Sequence, residues 1–230
     1  MSGAVDAAAI AERWRDVRAR VDAACARAGR APGEVTVVAV AKTQPADAVR
    51  AAIAAGALDI GENYAQELAT KRAEVVGARW HFIGRLQRNK AKLVAGQVAL
   101  VHAVDSVDLA RELGKRADGA VQPILMAVNV AGEDTKGGVA SDASVALAGE
   151  LAAVAGVRLD GLMTMPPPEV DPRPVFDALR ELRQRCADAL GRALPVLSMG
   201  MSGDFEVAIA CGATHVRVGT AIFGARPPRA

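Results

Sequence analysis

The sequence of 230 residues is short of aromatic residues, of cysteine and of net charge, and each shortage narrows what the protein can be. Aromatics make up 3% of the chain while hydrophobic residues make up 51%, so Ala, Val, Leu and Ile must build the core. The three cysteines, Cys25, Cys186 and Cys211, are odd in number, far apart and without CxxC spacing. That argues against a disulfide framework or a zinc site and fits a reducing cytoplasm. Lys and Arg number 28 against 26 for Asp and Glu, a formal charge of +2. So weak a bias gives no field to attract nucleic acid or a membrane surface. No apolar run approaches the roughly 20 residues that span a bilayer. Met1 to Arg20 holds Asp6, Glu12 and Asp16 where a signal peptide would need an apolar stretch. A cytoplasmic protein with neither nucleic acid nor membrane as partner is the expectation. No linker or low-complexity segment interrupts the chain, and Pro166-Pro167-Pro168 reads as a rigid loop.

What is present is an alternation. Val5 to Ala28 has Ile10, Trp14, Val17 and Val21 at helical spacing, with Gly29 as the stop. Val35 to Ala41 is a continuous β-branched apolar run, the pattern of a strand buried on both faces. The spacing then predicts a helix over Pro45–Ala55, a strand at Ala57–Ile60, a helix over Tyr64–Val76, a strand at Arg79–Ile83 and a short helix at Asn89–Val94. Strands at Leu100–Val104, Pro123–Val130, Leu159–Met163, Pro195–Ser198 and His215–Val218 follow. Between and after them lie helices at Val107–Arg116, Ser141–Val154, Pro174–Leu190 and Asp204–Ala210, and a short final one. Strands alternating with helices imply a parallel sheet. Eight β-α units in about 195 residues suit a closed (β/α)₈ TIM barrel. The expected architecture is one α/β domain over 1–230, an extra N-terminal helix (1–30) followed by the barrel (35–226). A doubly wound open sheet is the alternative.

In such a barrel the site lies at the C-terminal ends of the strands. Lys42 follows the first strand directly. Partial desolvation there would make its neutral, nucleophilic amine accessible; the plain alternative is a lysine snorkelling to solvent. Asn63 follows the second strand, as a polar group at the mouth or as a helix cap. His81, inside the third strand, reads as a satisfied core residue. Asn129–Gly138 reads as an ordinary surface loop rather than a lid, and Lys71 and Lys136 as surface lysines. The last two strands run into Ser198-Met-Gly-Met-Ser-Gly-Asp204 and Arg217-Val-Gly-Thr-Ala-Ile-Phe-Gly224. Small residues, hydroxyls and backbone N–H groups at these two loops favour phosphate. Closure places the last strand beside the first, so Lys42 would face that cradle. An amine beside a phosphate suggests a phosphorylated carbonyl compound held as an imine, either a sugar phosphate or pyridoxal phosphate.

Five segments decide further: Val38-Ala-Val-Ala-Lys-Thr43, Gly61-Glu-Asn-Tyr64, His81-Phe-Ile-Gly-Arg-Leu-Gln-Arg-Asn-Lys90, Ser198 to Asp204 and Arg217 to Gly224. Together they resemble the pyridoxal phosphate homeostasis protein family, in order over nearly the whole chain. The resemblance implies a barrel of the alanine racemase N-terminal type with pyridoxal 5′-phosphate as cofactor. It implies Lys42 as the lysine that forms the Schiff base and Ser202, Gly219 and Thr220 as phosphate contacts. It further implies Arg217 opposite the pyridine nitrogen and Asn63 and Met199 near the ring. Ala41 stands where many relatives would have Ser.

An arginine at the pyridine nitrogen keeps its own proton at physiological pH, so the ring stays a weak electron sink. Racemisation of the alanine racemase type also needs a second acid/base. That enzyme draws it from a C-terminal β-domain, whereas this sequence ends about six residues after Gly224 and has a single tyrosine, Tyr64. General acid–base groups are worth about 10²–10⁴-fold each. The expectation is therefore a non-catalytic monomer that holds, buffers or delivers pyridoxal phosphate in vitamin B6 and amino-acid homeostasis, with PLP-dependent apo-enzymes as recipients. An amino-acid racemase and a Schiff-base aldolase acting on a sugar phosphate are the alternatives.

Overall fold

The computed structural model describes residues 5–133, 137–168 and 170–225. Helix α1 (Ala7–Arg27) opens it, capped by Asp6, whose carboxylate accepts from Ala9 N–H at 3.0 Å. Such a cap is worth about 1 kcal/mol. Its apolar stripe, Ile10, Trp14, Val17, Val21, Ala24 and Cys25, is buried. Strands and helices then alternate: β1 (Thr36–Val40), α2 (Ala46–Ala54), β2 (Asp59–Glu62), α3 (Ala65–Glu74), β3 (Arg79–Phe82), a 3₁₀ helix (Arg88–Leu93), β4 (Leu100–Val104), α4 (Val107–Arg116) and β5 (Gln122–Asn129). After these come β6 (Val139–Ala140), α5 (Ser144–Ala152), β7 (Val157–Met163), α6 (Arg173–Leu190), β8 (Val196–Ser198), α7 (Phe205–Ala210), β9 (His215–Val218) and α8 (Thr220–Phe223).

The strands are parallel and ordered β4-β3-β2-β1-β9-β8-β7-β5, and β4 pairs with β5 to close the ring. This is the (β/α)₈ barrel expected from the alternation. The two-residue β6 lies outside the ring, paired with Val128 and Asn129 of β5; two residues are too few to show a sequence period. The stretch expected as a helix at Asn89–Val94 is a 3₁₀ turn at Arg88–Leu93. The helix expected over Ser141–Val154 begins only at Ser144, after β6 and a turn.

Period-two alternation divides each strand. Outward residues such as Val37, Ala39, Ile60, Val216 and Val218 join the large apolar layer under the helices. Inward on one side, Leu100, Leu125, Ala127 and Met163 form a small apolar plug. Between Val101 and Val104 of β4 the register shifts, and both His102 and Ala103 end on the interior side. The other half of the interior is polar. His81, His102 and His215, which are all the histidines of the chain, stand with ring centroids 5.3–6.1 Å apart. Burial, reinforced by the neighbouring histidines and Arg217, holds His102 well below its ordinary 6.5. Burial and His81 bring His215 down to about 4.

A buried neutral imidazole stabilises the fold fully above the unfolded value near 6.5 and loses that contribution as pH falls towards the folded value. Buried Glu62, raised to about 7, titrates with the opposite sign, so the histidine share must be read as a difference. Urea denaturation of the native protein and His215→Asn should show the native protein's advantage shrinking by about 2 kcal/mol between pH 7.5 and 4.5. An advantage that holds or grows on acidification would contradict the assignment.

Candidate functional site

At the C-terminal end of the barrel lies a cavity of about 380 Å³. Its floor and walls come from strand ends, and the seam between β1 and β9 sets its geometry. Val38 pairs with Arg217 and Ala39 with Val218. The chain therefore leaves the two strands side by side, Lys42 from one and Gly219-Thr220 from the other, and all three line the cavity.

The turn that presents Lys42 is braced from below. Gln44 N–H donates to Ala41 O at 3.0 Å. Lys71, 5% exposed, donates from Nζ to Ala41 O, Glu62 Oε1 and Glu67 Oε1, each at 2.7 Å. Glu67 also accepts from Thr43 N–H at 2.7 Å. Thr43 holds a φ of 65°, a region that β-branched residues rarely occupy. Surrounding bonds over-determine this strained residue, a pattern common at functional sites. Lys71 is thus a buried structural cation and not the surface lysine its sequence position suggested. The i, i+4 pair with Glu67 was visible in the sequence, but Glu62 at the end of β2 was not. Lys136 lies outside the described residues.

Opposite Lys42, Ser202 gathers a cluster of donors. Its Oγ accepts from Gly219 N–H at 3.3 Å and Ala221 N–H at 3.5 Å and bonds the Thr220 hydroxyl at 3.3 Å. A Cβ at Gly219 would stand 3.4 Å from Val40, in the space between seam and cavity. Asn63, on the cavity wall, does not cap α3: its N-cap residue is Tyr64, with no side-chain cap bond. Asn63 Oδ1 is buried and accepts no hydrogen bond among the described residues. Gly84 lets its loop lie directly on Asn63, since a Cβ there would meet Asn63 O at 2.2 Å. A small phosphorylated ring compound fits these features. The donors around Ser202 suit its phosphate, Asn63 Oδ1 awaits a donor, and Lys42 offers an amine.

Arg217, 4% exposed, closes the floor. Nη1 donates to Ser198 Oγ at 2.6 Å and Nη2 to Thr164 O at 2.8 Å. Burial lowers it to about 10, with Asp204 opposing, so it remains a cation at neutral pH.

The structure brings Lys42, Asn63, Ser202, Arg217, Gly219 and Thr220 to one cavity. Met199 does not join them: it is fully buried in the layer beneath the helices. Ser198 faces inward at the end of β8, so alternation turns the next residue outward, and Met163, Met165 and Met201 line the cavity instead. The loop expected to be plain surface also reaches the site. β6 draws it in, and Gly137 and Gly138 join the wall. At a φ of 119°, Gly138 packs where a Cβ would stand 2.9 Å from Asn129 N. Arg85 and Asp105 line the same wall; the Gly84-Arg85 motif was visible in the sequence, but the inward turn of its arginine was not. Tyr64, the single tyrosine, lines a neighbouring cavity and not this one.

Fold and site together define a barrel of the alanine racemase N-terminal type. The family described as "Alanine racemase, N-terminal domain" matches residues 5–227. Within that class the chain belongs to the pyridoxal phosphate homeostasis protein family. It is 45% identical to the Aquifex aeolicus pyridoxal phosphate homeostasis protein over 223 residues, covering 94% of this chain and 97% of that one. The Pseudomonas aeruginosa protein of the same name is 44% identical over 221 residues, covering 94% and 96%. Among solved structures, PipY of Synechococcus elongatus with PLP bound superposes with a TM-score of 0.82 at 33% identity, covering 94% of this chain and all of that one. Alanine racemase from Corynebacterium glutamicum shares the fold, with a TM-score of 0.73 at 18% identity; the match covers 97% of this chain and 62% of the racemase. No described helix is long and apolar enough to cross a membrane.

The brace under Lys42 has a measurable consequence. Removing Lys71 leaves Glu62 buried without its cation, a loss typically worth about 3–5 kcal/mol. Urea unfolding of Lys71→Met should show a drop of that order, and Glu62→Gln added to it should restore part of the loss. A near-neutral Lys71→Met would show that the cluster does not hold the turn.

Proposed function

We propose that this protein binds pyridoxal 5′-phosphate in the barrel-mouth cavity, holds it as a Schiff base on Lys42, and serves intracellular pyridoxal phosphate homeostasis without efficient catalysis. The observation behind this reading is the seam: a braced lysine at the end of β1 beside the Ser202, Gly219 and Thr220 donors at the end of β9. PipY supports it as a relative of matching length with PLP bound, as do the names of the Aquifex and Pseudomonas relatives. When bound, the cofactor supplies an aldehyde that condenses with an amine to give an imine and water, and a pyridine ring that can withdraw electrons.

The chain's own residues divide the work. Lys42 provides the amine. Ser202, Thr220 and the Gly219 and Ala221 N–H groups would hold the phosphate. Arg217, on the cavity floor, would be the donor to the pyridine nitrogen. As a buried cation it would give that nitrogen no proton, so the ring would be a poor electron sink. Among the described residues, Asp105 is the carboxylate on the cavity wall, while the tyrosine and the cysteines lie elsewhere. Tyr64 lies outside the cavity, and Cys25, Cys186 and Cys211 are buried away from it with thiols pushed up by burial. Holding the reactive aldehyde as an imine limits its reaction with other amines, and reversible condensation allows delivery to PLP-dependent apo-enzymes.

Titrating the purified protein with pyridoxal phosphate should produce a saturable visible absorption band. Lys42→Ala should lack it, and Ser202→Ala should bind about tenfold more weakly, as expected for one hydrogen bond to a charged group. Absence of a band in the native protein would overturn the reading. Conversion of L-alanine to its D-form at enzymatic rates would replace the carrier with a racemase.

A further inference from the structure

Arg217 is a buried cation with no ion pair to a carboxylate among the described residues. Such a charge is expensive unless compensated. Asp204 offsets part of that cost, and a chain of hydrogen bonds leads from Arg217 towards the other end of the barrel. Arg217 Nη1 meets Ser198 Oγ at 2.6 Å, and Ser198 Oγ lies 2.8 Å from His102 Nδ1. His102 Nε2 lies 3.0 Å from His81 Nδ1, and His81 Nε2 lies 2.8 Å from Asp59 Oδ1. Ser198, His102 and His81 are all buried. Asp59 also accepts from Arg79 Nη2 at 2.6 Å. Although burial alone would raise it, these hydrogen bonds hold Asp59 at about 2, so it is a carboxylate.

The two ends limit the possible orders between them to two. Arginine only donates and a carboxylate only accepts, while a hydroxyl and a neutral imidazole each do both. If both histidines of the chain of bonds enter as neutral imidazoles, one arrangement satisfies every link. Arg217 donates to Ser198, the Ser198 hydroxyl donates to His102 Nδ1, His102 Nε2–H donates to His81 Nδ1, and His81 Nε2–H donates to Asp59. Both histidines are then Nε2–H tautomers and all dipoles align. The reverse order requires His81 as an imidazolium. His215 shares the cluster, but its Nδ1 bonds Thr214 Oγ1 at 3.1 Å and stands off this line.

We propose that Ser198, His102 and His81 form a one-way hydrogen-bonded relay that couples Asp59 to Arg217, making them positioning residues that set how Arg217 meets a ring bound in the cavity. This rests on the pyridoxal phosphate reading above. Aligned hydrogen bonds in a low-dielectric interior polarise one another, so the relay both steadies the guanidinium and passes changes at the cavity to the far end of the barrel.

The relay is tested first in protein without pyridoxal phosphate, by NMR of ¹⁵N-histidine-labelled protein at pH 7.5. His102 and His81 should both carry their proton on Nε2. A proton on His102 Nδ1, or an imidazolium at His81, overturns the arrangement whatever the cavity binds. The second arm adds pyridoxal phosphate and compares the native protein with Ser198→Ala, a small change at a buried site, and with His215→Asn as an off-relay control. Loading should shift the His102 ¹⁵N signals in the native protein. Ser198→Ala should abolish that shift, move the visible band and weaken binding about tenfold, while the control keeps the native band and affinity. A band in native protein and Ser198→Ala with equal position and affinity overturns the relay alone. No band in the native protein overturns the binding reading, and the coupling with it. His102→Phe, if it folds, should behave as Ser198→Ala does.

Discussion

The site depends on one constraint, the closure that lays β9 beside β1 with Val38 opposite Arg217. The same strands wound in sequence but left unpaired between β9 and β1 would leave Lys42 at one edge and Gly219-Thr220 at the other. Closure makes them neighbours, and the period-two rule then assigns levels. Arg217 points inward one layer below the mouth, Val218 turns out into the apolar layer, and the chain emerges at Gly219. The amine and the cluster of donors therefore stand on adjacent strand ends, held by backbone pairing more than by side-chain preference.

Given that placement, the interior underneath has to manage charge. A parallel barrel of this size usually fills its centre with branched apolar side chains. Here only the side formed by β4, β5 and β7 does so, through Leu100, Leu125, Ala127 and Met163. The other side carries three histidines, Ser198 and Arg217, with Asp59 and Arg79 beyond them. Each buried polar group costs free energy unless satisfied, and the bonds between them meet that demand. Beside them Lys71, Glu62 and Glu67 pin the Lys42 turn, at the cost of a left-handed Thr43.

Much of this was legible in the sequence. The β-branched run before Lys42, the glycine-rich loops at the expected phosphate positions and the five ordered motifs identified fold, cavity and family. What the sequence hid was parity and partnership. Met199 and Met201 look alike in Ser198-Met-Gly-Met-Ser, and only the inward face of Ser198 separates the buried one from the one at the cavity. Lys71 looked like a solvated helical lysine because its second carboxylate, Glu62, sits on a strand nine residues earlier. His81 read correctly as a satisfied core histidine, yet its partners, Asp59 and His102, lie on neighbouring strands that no local pattern connects. β6 was too short to leave a signal.

Among the described residues, Lys42 is the lysine on the lining of this cavity, and the proposed tether is its amine rather than that of a lysine elsewhere on the protein. The direct measurement is borohydride reduction of the protein after loading with pyridoxal phosphate at one equivalent, followed by peptide mapping. A single pyridoxyl modification on Lys42 is expected, with Lys71 untouched because it is buried in its ion-pair cluster. Principal labelling of any other lysine, with Lys42 unmodified, would contradict that expectation.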